Sequence, residues 1–322
     1  MESPPDPRIP VHLVTGWLGA GKTTLLNRLL AAPGGRRFAV LVNEFGEIGV
    51  DDRLVLRSED DLVELQNGCI CCTVRGDLVR TLHRLARPRG LLRRRRPFDR
   101  VLIETTGIAE PAPILRTFLV EEGVASHYRM GAVTTVVDAR HAEAAFQERA
   151  AREQVAVADL LLLNKTDLAG ASELDTLEQA LRAMNPAAEI LRTTRSRVEP
   201  ARILDREPSP RPAPTAPAPH PAAHGLASVA LREDRPLDEL RVQLWLRSCV
   251  RLLRERLVRY KGFLHLHGQE RRIVLQGVYD LFQAEPGEPW GTDPRRTELV
   301  FIGHGLDPGM LRRGLEACVA EV

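Results

Sequence analysis

The residues most able to do chemistry lie near the start of the chain, in the segment Gly16-Trp17-Leu18-Gly19-Ala20-Gly21-Lys22-Thr23. This segment fills every fixed position of G-x-x-x-x-G-K-[ST]. Glycines allow the loop N–H groups to turn toward a phosphate, and a helix N-terminus adds partial positive charge. We expect Lys22 to reach the β- and γ-phosphates of a nucleotide and the Thr23 hydroxyl to ligate Mg²⁺. The predicted nucleotide-binding positions here are Gly16, Gly19, Ala20, Gly21, Lys22, Thr23 and Thr24.

A buried strand and a helix must flank this loop if it is to hold a phosphate. Val11, Leu13 and Val14 form an apolar run before the loop, which predicts the strand. Residues 24–30 after the loop carry apolar side chains at helical spacing, which predicts the helix. The alternative is a chance match in a glycine-rich turn, and the flanking elements argue against it.

A second motif, Asn164-Lys165-Thr166-Asp167, closes the apolar strand predicted over Asp159–Leu163. N-K-x-D at the end of a buried strand is typical of the base-reading loop of P-loop GTPases. The Asp167 carboxylate can accept hydrogen bonds from guanine N1–H and the 2-amino group, whereas adenine offers no such pair of donors. We expect Lys165 to pack over the base and Asn164 to brace the loop. A surface turn of the same sequence is the alternative.

Two further segments are typical of parts that sense the γ-phosphate. The strand predicted over Phe98–Glu104 ends in a carboxylate, and Gly107 follows three residues later. This is the layout of D-x-x-G with Glu for Asp, so we expect Glu104 to hold Mg²⁺ through water and the Gly107 N–H to meet the γ-phosphate. The loop Asn43–Asp52 lies where a switch is expected, the alternative being an ordinary acidic surface loop. The predicted catalytic residues are Lys22, Thr23, Glu104 and Gly107.

Three cysteines lie within four residues, at Cys69, Cys71 and Cys72. Thiolates are soft ligands that suit Zn²⁺ or Cu⁺, and C-x-C lets two sulfurs converge on one ion while the third completes a three-sulfur face. A fourth position would be open to Glu47, a histidine, water or a client ligand. A redox pair and inert buried thiols are the alternatives. The usual redox spacing is C-x-x-C, and Gly68 favours a turn over a core strand, so a metal site is favoured.

Composition and charge narrow the class of protein. The chain has 322 residues, of which 43% are hydrophobic, enough for one large domain or two ordinary ones. The net charge of +2 argues against binding to nucleic acid mainly by charge, and Arg93–Arg96 fits a solvated segment better than a nucleic-acid patch. No apolar run reaches the ~18 residues of a membrane span, and the first residues lack a secretory signal pattern. We therefore expect a cytoplasmic protein whose cysteines stay reduced.

The sequence after the second motif predicts the end of this unit, a linker and a second domain. Thr193 and Thr194 lie where backbone groups would touch the edge of the base. Residues 199–225 are rich in proline and alanine, which predicts an extended linker without helix or strand. Cys249 and Cys318 are expected to be packed. The second domain is predicted to contain strands near 226–231, 262–267, 272–282 and 297–303 and helices near 237–258 and 308–319.

Together these motifs resemble one family, the CobW-type, YjiA-like P-loop GTPases, which are thought to act as metallochaperones. A C-x-C-C motif inside a GTPase frame is highly specific to that family. The resemblance covers nearly all of the chain except the N-terminal tail and the linker. It rests on 16–24, 43–47, 68–72, 104–107 with Glu110-Pro111, 164–167, 259–262, 275–278, 289–291 and 299–303.

The resemblance implies an α/β fold, a P-loop NTPase domain with a mostly parallel sheet followed by a small C-terminal α+β domain thought to meet clients. It also implies that Cys69, Cys71 and Cys72 bind Zn²⁺ or a similar ion such as Co²⁺ or Ni²⁺, with Glu47 as a candidate extra ligand. Val42 stands where some relatives carry another acid, which argues against an auxiliary site that uses this acid. The predicted divisions are a disordered tail 1–9, a GTPase domain 10–198, the linker 199–225 and a C-terminal domain 226–322.

The expected function is Mg²⁺-dependent GTP hydrolysis to GDP, coupled to delivery of the metal to a client metalloprotein. We expect neither a nucleic acid nor a membrane as partner. A regulatory GTPase switch with a structural zinc, and a non-enzymatic metal sensor or storage protein, are the alternatives. The sequence shows no clear water-positioning Gln or arginine finger, which predicts slow intrinsic turnover unless metal or a client accelerates it.

Overall fold

The computed structural model describes residues 6–42, 55–57, 62–64, 75–86, 98–206 and 225–321. The chain divides into two compact units. The first consists of Met1–Ala145, Ala158–Gly170 and Ile190–Pro208, and the second of Phe146–Val157, Ala171–Glu189 and Ser209–Val322. Within the described ranges, no helix has the length and apolar character needed to cross a membrane.

The first unit is an α/β structure built on one sheet, which in the described part of the chain has eight strands. Its strands are β1 (Ile9–Gly16), β2 (Phe38–Val42), β3 (Val55–Arg57), β4 (Leu62–Glu64), β5 (Arg100–Glu104), β6 (Tyr128–Asp138), β7 (Leu160–Asn164) and β8 (Glu189–Arg192). Its helices are α1 (Lys22–Ala31), α2 (Arg75–Ala86), α3 (Ala112–Val120), α4 (Glu122–Ala125), α5 (Ala142–Ala145) and α8 (Ala201–Leu204).

The strand order brings the predicted motifs to one edge of the sheet. The order is β4-β3-β2-β5-β1-β6-β7-β8, and β2, β5, β1, β6 and β7 run parallel. Because the carboxyl ends of parallel strands meet at the same edge, β5, β1, β6 and β7 end side by side. Those ends are Glu104, Gly16, Asp138 and Asn164. The predicted P-loop fold with a mostly parallel sheet is therefore confirmed.

An apolar core explains why these segments form strands and a helix. All eight residues of β1 are buried, as the apolar run before the phosphate loop predicts. Each fully buried valine, leucine or isoleucine side chain stabilises the fold by about 1.5–3 kcal/mol relative to an exposed one. One face of the sheet packs against α1 and α8, with Val14, Val40, Leu102, Val136, Leu162, Leu25, Leu29, Ile203 and Leu204 in the contact.

The short helix α8 corrects the predicted linker. Ala201–Leu204 is helical although we predicted an extended segment from residue 199. Ile203 and Leu204 are buried in the core of the first unit, and burial of these two side chains holds a helix that composition does not favour. The proline-rich residues 207–224 lie outside the described part of the chain.

His12, in the middle of β1, is a buried titratable group. Its side chain is 1% exposed, and neither ring nitrogen has a hydrogen-bond partner among the described residues. Burial, together with the positive charges of Arg100 and Arg129, lowers the pKa of His12 from 6.5 to about 3. The imidazole is therefore neutral in the folded protein at neutral pH.

We predict that acid destabilises the fold through His12. Between the unfolded pKa of 6.5 and the folded pKa of about 3, the unfolded chain binds more protons than the folded chain. The free energy of unfolding should therefore decrease as the pH falls, by about 2 kcal/mol from neutral pH to about pH 5. Urea unfolding at the two pH values measures the loss. His12→Leu should remove this part of the pH dependence, whereas His141→Gln, at an exposed histidine, should retain it. Equal pH dependence of stability in His12→Leu and wild type would contradict the role of His12.

The second unit is built on an antiparallel sheet, which has five strands in the described part of the chain. Two helices that precede the proline-rich segment in sequence belong to it, α6 (Arg149–Val157) and α7 (Ala171–Met184). Ser228 Oγ, on the sheet, donates a 3.2 Å hydrogen bond to the Ala183 carbonyl on α7. The other elements are β9 (Leu226–Glu233), α9 (Glu239–Leu253), β10 (Leu257–Leu264), β11 (Arg271–Val278), β12 (Leu281–Pro289), β13 (Thr297–His304) and α10 (Pro308–Glu316). The strands of the sheet lie in the order β12-β11-β10-β13-β9.

Two predictions for this unit are wrong in part, one at the end of a helix and one inside a strand. The helix predicted over 237–258 stops at Leu253, because Arg254 adopts a φ of 42°, and the following apolar residues begin β10. The strand predicted over 272–282 is a hairpin, since β11 and β12 are joined by a tight turn in which Tyr279 has a φ of 53°. Such turns favour glycine or asparagine, so Tyr279-Asp280 gave no turn signal.

Candidate functional site

The phosphate loop joins β1 to α1 in the way the motif predicts. Gly16, Gly19 and Gly21 all have positive φ, at 138°, 70° and 111°. A Cβ on Gly16 would lie 2.2 Å from the Val136 carbonyl oxygen on the neighbouring strand β6, whereas a Cβ on Gly19 would meet nothing within 4 Å. Close packing therefore adds to backbone conformation in requiring glycine at position 16, and conformation alone requires it at position 19.

Lys22 begins α1 and folds back over the loop. Its Nζ donates a 3.1 Å hydrogen bond to the Trp17 carbonyl, and the residue is 8% exposed. The loop, the first turn of α1 and the Lys22 ammonium thus converge on the space above the end of β1. Positive charge at a helix N-terminus favours an anion at this position, which agrees with the predicted phosphate loop.

The Thr23 hydroxyl and the Glu104 carboxylate meet although 81 residues separate them in the sequence. Thr23 Oγ1 donates to Glu104 Oε1 at 2.8 Å, and Glu104 is 5% exposed. The contact follows from the parallel pairing of β1 with β5, in which Val14 is opposite Glu104. Thr105 N also donates to the Val14 carbonyl at 3.0 Å, which extends the pairing past the strand end.

Gly107 lies directly against the phosphate loop. A Cβ on Gly107 would come within 2.5 Å of the Leu18 backbone nitrogen and 2.7 Å of its Cα. Only a residue without a side chain can approach the loop this closely without displacing it. The predicted γ-phosphate element Glu104–Gly107 therefore packs on the predicted phosphate loop.

Asn164 connects the base-reading motif to the phosphate loop. Its Nδ2 donates to the Ala20 carbonyl at 2.8 Å and to Ser196 Oγ at 3.1 Å, and its Oδ1 accepts from the Ser196 backbone N–H at 2.8 Å. The side chain is 2% exposed, so its polar atoms need these partners. The bracing role predicted for Asn164 agrees with this geometry.

Ser196 is a site residue that sequence reasoning missed. Its hydroxyl donates to the Gly21 carbonyl at 3.0 Å, and both Ser196 and Arg195 have a φ of 52°. Arg28, on α1, donates from Nε to the Arg195 carbonyl at 2.7 Å. No local pattern distinguishes this serine; the T-T-R-S run after a short strand offered only a position near the predicted Thr193 and Thr194.

Thr193 stabilises the turn before Ser196. Its Oγ1 donates to the Arg197 carbonyl at 2.8 Å, and its backbone N–H donates to the Leu163 carbonyl at 2.8 Å. Thr166 Oγ1 donates to the Thr193 carbonyl at 3.2 Å and lies 3.2 Å from Thr194 Oγ1. The contact of Thr193 and Thr194 with a base stays a prediction.

Lys165 and Asp167 complete the motif and have different surroundings. Lys165 has a left-handed backbone with a φ of 60°, and its Nζ donates to Asp138 Oδ2 at 2.8 Å. Asp167 is exposed in the short turn Thr166–Leu168, and within the described ranges its carboxylate makes no hydrogen bond or ion pair. The Asp167 carboxylate is therefore available to a ligand.

The predicted metal ligands Cys69, Cys71, Cys72 and Glu47 lie outside the described residues. In the part of the chain that is described, no group of three or more His, Cys, Asp or Glu side chains could hold a metal ion. Cys249 and Cys318 are buried and unpaired, as predicted. Burial raises the pKa of their thiols to about 12 and about 11, so neither supplies a thiolate at neutral pH.

Comparisons with known proteins agree with this geometry. A family model described as CobW/HypB/UreG, nucleotide-binding domain, matches residues 10–192, and the cobalamin synthesis protein cobW C-terminal domain matches residues 226–319. The chain is 35% identical to the zinc chaperone YjiA of Escherichia coli (strain K12), over 94% of this chain and 96% of that protein. It is 36% identical to zinc-regulated GTPase metalloprotein activator 1 of Schizosaccharomyces pombe, over 62% of this chain and 49% of that protein.

A solved structure extends the likeness to the fold. The Zn(II)-bound YjiA GTPase from E. coli matches with a TM-score of 0.72 and 30% sequence identity, covering 97% of this chain and 99% of that one. The first family match includes the phosphate loop, Glu104, Gly107 and Asn164–Asp167. By sequence, fold and the residues at the carboxyl edge of its sheet, this chain belongs to the CobW/HypB/UreG family of P-loop GTPases.

Proposed function

We propose that this protein binds GTP along the carboxyl edge of the first sheet and couples its hydrolysis to the handling of zinc or a similar divalent ion. The observation that carries the proposal is the hydrogen-bonded link from Asn164 to Ala20 and Ser196, which joins the base-reading motif to the phosphate loop. A guanine nucleotide is bound at both its base and its phosphates, so the two binding loops must be held in a fixed relative position. The hydrogen bonds of Asn164 would provide this fixed position.

At the phosphate end, the loop N–H groups and Lys22 would hold the β- and γ-phosphates. The glycines keep the backbone open toward the anion, and Lys22 would exchange its contact with the Trp17 carbonyl for phosphate oxygens. Gly107, packed on Leu18, lies where its N–H could respond to the γ-phosphate. Loss of that phosphate would free the segment after Glu104.

The residues at positions 23 and 104 fit Mg²⁺. Two oxygen donors, a hydroxyl and a carboxylate, already lie 2.8 Å apart in a nearly buried position, and Mg²⁺ prefers oxygen ligands. We propose that Thr23 ligates the ion directly and that Glu104 holds it through water. Bound Mg²⁺ would neutralise charge on the β- and γ-phosphate oxygens.

At the base end, Asp167 would select guanine. Its exposed carboxylate can accept from guanine N1–H and the 2-amino group, while Lys165 covers a face of the base. Asn164 holds the loop in place and does not itself read the base. This division of roles separates base selection from loop stability.

The cargo is proposed to be a divalent metal held by Cys69, Cys71 and Cys72, with Glu47 as a candidate further ligand. The similarity to zinc chaperones and to a zinc-regulated GTPase metalloprotein activator supports zinc. In the sequence the cysteines lie between the loop Asn43–Asp52 and the element Glu104–Gly107. Because both elements are expected to change with the γ-phosphate, hydrolysis would release the ion to a client protein met by the C-terminal domain, in the cytoplasm.

Zinc affinity in two nucleotide states tests the coupling. We predict that competition with a chromophoric chelator will give zinc affinities that differ by about tenfold or more between GDP and a non-hydrolysable GTP analogue, or about 1.4 kcal/mol. Cys71→Ser should abolish the difference, and Cys249→Ser, at a packed cysteine, should retain it.

The outcome also decides between the proposal and its alternatives. Equal zinc affinity in both nucleotide states would contradict coupling and indicate a regulatory GTPase with a structural zinc. Coupling without any GTP hydrolysis, in the presence of metal, would indicate a sensor or storage protein.

A further inference from the structure

Asp138, the last residue of β6, contacts the base-reading motif although it is not part of it. Its Oδ2 accepts a 2.8 Å hydrogen bond from Lys165 Nζ and a 3.0 Å hydrogen bond from His141 Nδ1. Its Oδ1 accepts from the Arg140 backbone N–H at 3.0 Å. Both carboxylate oxygens are therefore used, and the side chain is 8% exposed.

The position of this carboxylate is fixed by the sheet. Asp138 is opposite Asn164 in the parallel pairing of β6 with β7, and the Ala139 N–H extends the pairing by donating to the Asn164 carbonyl at 2.9 Å. The bond from the Arg140 N–H holds the carboxylate in one orientation. Asp138 is thus a rigid acceptor beside the strand end from which Lys165 departs.

The surroundings of Asp138 also favour its ionised form. Burial by itself would raise the pKa of this carboxyl, but hydrogen bonds from Lys165, His141 and the Arg140 N–H, with the Lys165 charge, outweigh it and hold the pKa below the ordinary value. A charge-assisted hydrogen bond of this kind is stronger than one between neutral groups.

Lys165 is the more exposed partner in this pair. Its side chain is 31% exposed, and a long lysine side chain loses conformational entropy when it is ordered. Its left-handed backbone, with φ 60° and ψ 36°, is also unfavourable for a residue that carries a side chain. The hydrogen bond from Lys165 Nζ to Asp138 orders the lysine side chain before a nucleotide binds.

We propose that Asp138 is a positioning residue for guanine-nucleotide binding, which anchors the Lys165 ammonium so that the aliphatic part of that side chain forms a preorganised cover for one face of the base. The inference rests on the proposed role of Lys165 at the base. Asp138 touches no part of the nucleotide and acts through Lys165. Preorganisation strengthens binding because less entropy is lost in the bound state.

The experiment measures GDP affinity and GTP hydrolysis in the full-length protein. Asp138→Asn keeps the shape of the side chain and an oxygen for the Arg140 N–H, and removes the charge that holds Lys165. GDP affinity should fall about tenfold. The KM for GTP should rise with an unchanged kcat, because the phosphate end is untouched, and the melting temperature without nucleotide should stay near that of wild type.

His141 supplies a matched control. It donates to the same oxygen as Lys165, but its side chain is 67% exposed and it lies outside the base-reading motif. His141→Gln should leave GDP affinity within about twofold of wild type. A loss as large as that of Asp138→Asn would overturn the inference, because the effect would then belong to the turn at 138–141 and not to Lys165.

A double-mutant cycle tests whether Asp138 acts through Lys165. Lys165→Met removes the ammonium, so Asp138→Asn added to it should lower GDP affinity by less than about a further twofold. Independent, multiplying losses would overturn the inference, as would an unchanged affinity in Asp138→Asn. If Lys165→Met alone has no effect on GDP affinity, the proposed role of Lys165 is wrong and the inference about Asp138 is wrong with it. If Lys165→Met lowers GDP affinity and Asp138→Asn does not, only the inference about Asp138 is wrong.

Discussion

Replacement of Gly16 by alanine is expected to reduce GDP affinity by more than about 100-fold and to destabilise the first unit by about 3 kcal/mol. The new Cβ would lie 2.2 Å from the Val136 carbonyl oxygen, in a backbone with a φ of 138°. Because Val136 belongs to a central strand, the sheet cannot yield, and the phosphate loop must move instead. Equilibrium binding of a fluorescent GDP analogue and urea unfolding measure the two effects.

Gly35→Ala is the matched control for this prediction. Gly35 has a φ of 75°, also in the left-handed region, but a Cβ there would meet nothing within 4 Å. It lies in the turn after α1, away from the phosphate loop. This variant should be destabilised by only about 1 kcal/mol and should bind GDP like wild type. GDP binding unchanged in Gly16→Ala would show that the loop does not hold the phosphates.

Replacement of Asp167 by asparagine is expected to change base preference. The carboxylate accepts two hydrogen bonds from guanine, and each hydrogen bond to a charged group is worth about 1.5–3 kcal/mol. GDP affinity should therefore fall by more than about 100-fold. Affinity for xanthosine diphosphate should rise, because the asparagine amide can donate to the carbonyl that xanthine carries in place of the amino group.

Competition with GDP, inosine diphosphate and xanthosine diphosphate measures the change in preference. Asp175→Asn, at another exposed acid on the following helix, should leave all three affinities unchanged. A proportional loss for all three nucleotides in Asp167→Asn would argue against base reading by this carboxylate. Asp138→Asn should produce such a proportional loss, since it acts on the face of the base and not on its edge.

Local motifs allowed the nucleotide site to be predicted from the sequence. Gly16–Thr23 and Asn164–Asp167 each combine residue types that a short segment needs for one task, so their order along the chain suffices. The apolar strands before them were predicted for the same reason, since burial on both faces leaves a continuous apolar run. The proposed metal ligands, three cysteines and Glu47, lie outside the described residues and stay predictions.

Contacts between distant segments could not be predicted. The roles of Ser196 and Asp138 depend on which strands are neighbours, and strand order is a property of the folded sheet. The sequence assigned both Thr23 and Glu104 to Mg²⁺, but their direct hydrogen bond follows from the pairing of β1 with β5. The helix α8 was missed because buried apolar contacts of Ile203 and Leu204 outweigh a composition that favours an extended chain. Tyr279 turns a hairpin without the usual turn residues.

The sequence alone predicted a phosphate loop, a guanine-reading motif and a metal site of three closely spaced thiols, because each is a short segment whose residue types limit its chemistry. The hydrogen bonds of Asn164 with Ala20 and Ser196, and that of Lys165 with Asp138, became evident from the folded sheet. These contacts form because parallel strands bring their carboxyl ends to one edge, where residues far apart in sequence become hydrogen-bond partners.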